Sequence, residues 1–256
     1  MTGFGPMLKK ELSELYYSMR IVYVPIVFTL LALMQPVTMS LLPKLLESTD
    51  LPPGTVISVT EPQAIDVMGT LLQQFGTLGT MVVILITMGA IAGERASGVA
   101  PMVLSKPLSR AAYFTAKGAA YAVLVTISLV VAMLISTYYT ERLFGAVDWG
   151  AALLGTLAYI PVLWLLVSIT LCTSALFRSQ IAAGGVAFVV YLLLSVVPSF
   201  LGGFVRWLSP NKLAEASSAL LIGTEADRIG LPIAGALALG AFFYLMGILA
   251  LQTREL

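Results

Sequence analysis

The chain has no histidine and one cysteine in 256 residues, and only 11% of its residues are charged. Without histidine there are no His-ligated zinc sites, no His-dependent serine or cysteine dyads, and no Glu/His constellations of the metalloprotease kind. A lone cysteine, Cys172, excludes an intramolecular disulfide, and in its apolar run it reads as a small buried side chain. No GxxxxGK[ST] occurs, so the chain lacks the P-loop that cradles nucleotide phosphates. The scarcity of charge excludes an ordinary soluble domain, which carries about 25% charged residues. Lipid must be the solvent for much of this protein.

What charge exists is unevenly spread. Residues 21–43, 67–93, 118–140, 149–177, 179–205 and 229–253 contain no Asp, Glu, Lys or Arg. Each window meets the roughly 20 residues a helix needs to cross the hydrocarbon core, where a central charge costs about 2.5–3.5 kcal/mol on insertion scales. The windows are continuously apolar, not alternating, which excludes a β-barrel. Helices then satisfy the backbone in lipid. The sequence predicts an all-α integral membrane protein, one transmembrane domain over 1–256 with spans near 21–43, 69–92, 118–139, 150–177, 180–201 and 231–251. A charged segment followed by a full-length span does not read as a cleavable signal peptide.

Six spans put both termini on one side. If that side is cytoplasmic, nine basic residues lie inside and five outside, the bias that sets orientation. The bias places both termini in the cytoplasm, and the expected location is a prokaryotic cytoplasmic membrane, multi-pass.

Before the first span lies Met7–Arg20. Leu8, Leu12, Leu15, Tyr16 and Met19 recur at helical spacing, and Lys9, Lys10, Ser13, Glu14 and Ser18 fall largely opposite. An amphipathic helix lying in the membrane interface is predicted, either as an anchor or also as a contact for a cytoplasmic partner. The first outer loop, about 43–70, is acidic, contains LPPG and is expected to be irregular. Between spans five and six, Lys212–Leu221 predicts a short amphipathic helix capped near Ser209–Asn211, at the outer leaflet.

The segment joining spans two and three, residues 93–117, is a dense polar patch carrying Glu94, Arg95, Lys106, Arg110 and Lys117, broken by Gly98, Pro101 and Pro107. A short helix starting near Glu94 and parallel to the membrane is expected, then a helix from Pro107 into span three. A positive-inside loop that only fixes topology explains the charge count; its length and prolines weaken that reading a little without defeating it, and a docking role stays open beside it.

No acid falls within a predicted span, although ion-coupled transporters use intramembrane carboxylates. Hydroxyls and one amide, such as Gln35, Thr126 and Ser136, are expected to pack between helices. Pro25, Pro36, Pro161 and Pro198 interrupt the backbone ladder inside spans, and the methionines read as core filler. No internal energy source is evident, so directed transport has to be driven by a partner.

Glu94-Arg95-x-x-Gly98 followed by Pro107-x-x-Arg110 and Lys117 resembles the signature of the ABC type-2 exporter permeases. Lys9-Lys10-Glu11 in an opening amphipathic helix, Ser209-Pro210 between the last two spans, and a charged Arg254-Glu255-Leu256 end agree with it. The resemblance implies a permease subunit without ATPase activity, paired with a second permease, identical or related, and with separate ABC ATPase subunits that bind ATP and Mg. By this analogy the helix at Glu94 is the coupling helix, with Glu94, Arg95, Gly98, Pro107 and Arg110 as its docking residues. The interfacial helix with Lys9, Lys10, Glu11, Glu14 and Arg20 supports it, and the Arg178–Gln180 turn is a smaller contact. The chain itself holds no cofactor, and no nucleic-acid partner is expected. The weakly polar spans favour amphipathic or hydrophobic cargo moving outward. Two other classes are a membrane enzyme, which the missing histidines and intramembrane acids disfavour, and a non-transporting docking or immunity scaffold.

Overall fold

The computed structural model describes residues 3–47, 62–104, 108–226 and 228–253, and the described chain is helical throughout, apart from short turns. Six helical stretches are long and apolar enough to span a membrane: Arg20–Pro43, Ala64–Ala96, Arg110–Phe144, Trp149–Leu176, Gln180–Leu201 and Gly230–Thr253. Each overlaps one charge-free window, because only there is the chain apolar for long enough to be solvated by lipid.

A helix, α1 (Phe4–Tyr17), precedes the spans, and α2 (Arg20–Glu47) forms the first. Between them Met19 takes a positive φ of 58°. Pro25, Pro36 and Pro43 lie within α2 without ending it. Span two is segmented into α3 (Ala64–Gln74), a π-turn at Phe75–Gly79, α4 (Thr80–Thr87) and α5 (Gly89–Ala96). The end of the first loop, expected to be irregular, is therefore helical from Ala64. A reciprocal cap starts it, in which the Gln63 N–H donates to the Asp66 carboxylate at 3.0 Å. Residues 48–61, with LPPG, lie outside the described residues.

A short α6 (Val99–Leu104) follows, then α7 (Arg110–Phe144), α8 (Trp149–Leu176) and α9 (Gln180–Leu201). The Ser109 hydroxyl caps α7 by accepting from the Ala112 N–H at 3.1 Å. A 3-10 turn at Val205–Leu208 leads to α10 (Pro210–Leu221), and α11 (Gly230–Thr253) ends the described chain. The amphipathic helix expected between spans five and six is thus present. Ser209 starts it, and Leu213, Ser217 and Leu221 turn inward.

The core is α8, whose span is 61% buried, whereas α2 and α11 are only 22% buried and present apolar flanks outward. Side chains such as Ile181 and Phe200, more than 80% exposed, suit hydrocarbon and not water. Close approach depends on Gly155, where a Cβ would fall 2.7 Å from the Ser217 carbonyl oxygen, so α10 lies against the α8 backbone. The intramembrane hydroxyls divide. Ser136 donates to the Ala32 carbonyl across α2 and α7 at 2.9 Å, and Gln35 to Thr70 at 2.6 Å. Ser128 and Thr170 instead bond back to carbonyls of their own helices at 2.7 and 2.8 Å, the alternative open to any mid-helix hydroxyl.

Candidate functional site: a buried ion cluster at the termini end

One end of the bundle gathers α1, the starts of α2, α7 and α9, and the ends of α5, α8 and α11; it is called here the termini end. Its centre is Lys117, about two turns into α7 and only 1% exposed. A bare ammonium in that place would be costly. Its Nζ donates to both oxygens of Glu11 at 3.0 Å and to Glu94 Oε1 at 2.7 Å. Glu11 is 3% and Glu94 9% exposed. The three charges come from α1, α5 and α7, so one ammonium ties the N-terminal helix and the end of span two to the start of span three.

Tyr113, one turn before Lys117, donates its hydroxyl to Glu94 Oε2, and the Lys117 ammonium lies 5.1 Å from the Tyr113 ring centre. Lys10 closes the cluster from the surface, donating to Glu94 at 3.0 Å, Glu11 at 3.1 Å and Glu14 at 2.6 Å. Burial works to lower the Lys10 pKa, but the Glu14 hydrogen bond and the charges of Glu11 and Glu94 outweigh it and hold the ammonium above the usual lysine range. That contribution is therefore present at neutral pH and is lost only as pH rises beyond that range. Glu11, Glu14 and Glu94 place carboxylate oxygens within 4.8 Å of one another, a spacing that suits a metal ion. Here Lys10 already touches all three.

The cluster revises the reading of α1. The stripe facing the protein is Met7, Glu11 and Leu15, at spacing i, i+4, i+8, while Leu12, Tyr16 and Met19 of the expected apolar face are exposed. The helix also ends at Tyr17, not Arg20. Arg20 opens α2 and donates to the Tyr121 hydroxyl on α7. Lys9 is exposed.

The loop residues also separate. Glu94 is not the start of a surface helix but lies in the last turn of α5, turned inward. The short helix begins five residues later at Val99. Arg95 donates to the Ala175 carbonyl at the end of α8 at 2.8 Å, and Arg110 to the Leu251 and Gln252 carbonyls at the end of α11 at 2.6 and 3.0 Å. Both guanidiniums thus satisfy orphan carbonyls at a helix C-terminus, where the macrodipole favours a cation. Gly98 has φ 74°, left-handed, and turns the chain from α5 into α6. Glycine adopts this without the strain of a Cβ. Pro107 and Lys106 lie outside the described residues. Arg178, in the short turn between α8 and α9, is exposed.

One participant had no sequence signal. Ser174 of α8 accepts from the Ile91 and Ala92 N–H groups at 3.1 and 2.9 Å and donates to the Met88 carbonyl at 2.7 Å. It satisfies the backbone where α4 gives way to α5, and so joins span two to the core helix beside the cluster.

Alongside the cluster, α1 and α6 border an open groove of about 640 Å³ lined by Met7, Lys10, Val99, Met102 and Val103 among others. Ala96–Val99 and Met102 form an exposed edge next to it, and Met102 is 74% exposed.

A six-span helical bundle whose N-terminal helix is locked by buried charge onto spans two and three defines a polytopic membrane subunit with a stiffened end. The chain belongs to the ABC-2 family transporter proteins, whose family model matches residues 6–216. That stretch contains α1 from its third residue, the first five spans and every residue of the cluster. It is also similar to the transmembrane protein YxlG of Bacillus subtilis (strain 168), with 32% identity over 229 residues, covering 88% of this chain and 87% of that one. The chain is accordingly the membrane component of an ABC-2 type transporter, the permease domain that is typically non-catalytic.

Proposed function

We propose that this permease moves an amphipathic or hydrophobic substrate outward across a prokaryotic cytoplasmic membrane, driven by a separate ABC ATPase that carries the ATP and Mg. Both termini face the cytoplasm, as the basic-residue bias argues, so the termini end is where the ATPase docks. The groove between α1 and α6, with its exposed edge at Ala96–Val99 and Met102, offers an apolar seat bordered by Lys10. In this reading α6 is the coupling helix. The exposed Leu12, Tyr16 and Met19 of α1 rest in the interfacial lipid. A second permease, identical or related, completes the path.

The observation that carries this reading is the Glu11–Lys117–Glu94 lock. A push on α6 can move the spans only if it does not dissipate at the loop. The lock makes α1, the end of span two and the start of span three one body, directly beside the groove. Glu94, Arg95, Arg110 and Gly98 serve docking by fixing that body's shape, while the groove residues make the contact.

The test is co-purification of the tagged chain with a Walker-type ATPase expressed beside it, followed by measurement of nucleotide-dependent transport. Met102→Glu should abolish co-purification while the chain still inserts; retained association would overturn the docking surface. An ATPase that binds but never drives movement of any amphipathic probe would favour the docking or immunity scaffold instead.

A further inference from the structure

The opposite end of the molecule carries charge that the fold does not use. After α9 ends at Leu201, Gly202 and Gly203 turn the chain with φ of 68° and 56°. The 3-10 turn, α10 and the start of α11 then enclose an open cavity of about 650 Å³, walled by Gly202, Phe204, Arg206, Trp207, Lys212 and Arg228 among others. Lys212 is already ion-paired with Glu215 on its own helix. Arg206 and Arg228 are exposed and have no side-chain hydrogen bond or ion pair among the described residues.

Three features fix the chemistry of an occupant. First, two guanidiniums with no acidic partner among the described residues line one cavity, which calls for an anion, and their planar forks match a phosphate best. Second, the cavity lies just past the end of span five at Leu201 and beside the start of span six at Gly230, so a helix that fills the hydrocarbon core brings it to the headgroup region. Phe200, Leu201 and Phe204 stand beside it, 84%, 67% and 62% exposed. An occupant therefore meets hydrocarbon on one side and cations on the other. Third, the volume lies within the roughly 300–1,000 Å³ of small-molecule sites, ample for a headgroup with the first part of its chains. Topology does not explain the charge: Arg206, Lys212 and Arg228 share one loop on the side that the orientation bias makes outer, where basic residues work against that bias.

We propose that this cavity binds the phosphate headgroup of an anionic phospholipid, with Arg206 and Arg228 gripping the phosphate and Phe204 and Trp207 flanking its glycerol and upper chains. Such a lipid would sit between spans five and six and tie the α10 region to α11. The proposal does not depend on the ATPase reading.

The experiment uses the full chain, purified in detergent and delipidated, with bound lipid counted by native mass spectrometry and thermal stability followed in parallel. Phosphatidylglycerol should be retained and raise Tm, whereas phosphatidylcholine should do neither. R206Q/R228Q should weaken phosphatidylglycerol binding at least tenfold, and R206K/R228K should keep most of it. Equal retention of the two lipids, or unchanged binding by R206Q/R228Q, overturns the site. Glycerol 3-phosphate raising Tm as much as the whole lipid at equal concentration would identify a soluble phosphoester and overturn the lipid assignment. Should R206Q/R228Q not fold, salt decides on the unmodified chain. Going from about 0.1 to about 1 M shortens the screening length from about 10 to about 3 Å. Release of phosphatidylglycerol supports the site, and salt-indifferent binding sinks it.

Discussion

The two ends of this molecule hold similar residues in opposite states. At the termini end a lysine and two glutamates are buried and bonded to one another. At the far end two arginines face outward with no acidic partner among the described residues. A buried charge costs several kcal/mol unless it is paired, so charge inside the bundle is itself evidence of a fastening. An exposed arginine at a headgroup depth costs little, because it reaches water or phosphate. Charge fixed in the core suits an end that holds its geometry, and charge left outward suits an end that takes a ligand.

The comparison breaks most visibly at Lys117. Lys117→Met leaves Glu11 and Glu94 buried with only the partly exposed Lys10 as a cation, and removing one partner of a buried pair costs up to about 3–5 kcal/mol. The expected outcome is a large fall in the thermal stability of the purified chain and release of α1, read as proteolytic cleavage near Ser18. Glu11→Gln/Glu94→Gln/Lys117→Met, which removes all three charges together, should recover much of the stability. It should not recover transport if the charged lock is what keeps α1 in register. A triple variant no more stable than Lys117→Met would show that the lock is not electrostatic in origin.

A second break tests whether the far end is also rigid in its backbone. Gly155→Ala places a methyl 2.7 Å from the Ser217 carbonyl oxygen and 2.8 Å from the Leu221 nitrogen. Backbone cannot rotate away, so α10 must shift, and overpacking of this kind costs about 1–3 kcal/mol. Increased hydrogen exchange confined to α10 is the expected readout. An unchanged exchange pattern would mean that α10 is already loose.

Gly98→Ala should have a smaller effect, because no neighbouring atom lies within 4 Å of the added methyl. Its cost is that of a non-glycine residue in left-handed backbone, about 1–2 kcal/mol. The effect should appear in coupling to the ATPase more than in Tm, since the turn aims α6 without contributing to the core.

The bundle itself was legible because lipid solvation needs long charge-free runs, and those runs are a property of the sequence alone. The six windows and the six long helices overlap for that reason. Family membership was legible from Glu94-Arg95-x-x-Gly98, Arg110 and Lys117, but what these residues touch was not. Arg95 and Arg110 bond backbone carbonyls at the ends of α8 and α11, and a carbonyl acceptor leaves no mark in the sequence. Glu11 stood among polar residues and read as one more of them. Its position between Met7 and Leu15 at four-residue steps was the available clue that it faced inward. That Lys117 is its partner depends on how α1 crosses α7, which no local pattern encodes. The inward turn of Glu94 has the same origin: the apolar window ends at Gly93, but the α5 helix continues to Ala96.

The smallest expected effect sharpens the comparison most. Arg228→Gln removes a charge that bonds to nothing among the described residues, and surface substitutions of this kind usually change stability by less than about 0.5 kcal/mol. In delipidated protein its Tm should match the unmodified chain. In phosphatidylglycerol the two should separate, because only the unmodified chain gains the stabilisation that a ligand confers by binding the folded state. Lys117→Met should show the opposite pattern, a deficit of the same size with or without lipid. If Arg228→Gln is already destabilised without lipid, the far-end arginines are structural like those at the termini end, and the contrast between the two ends collapses.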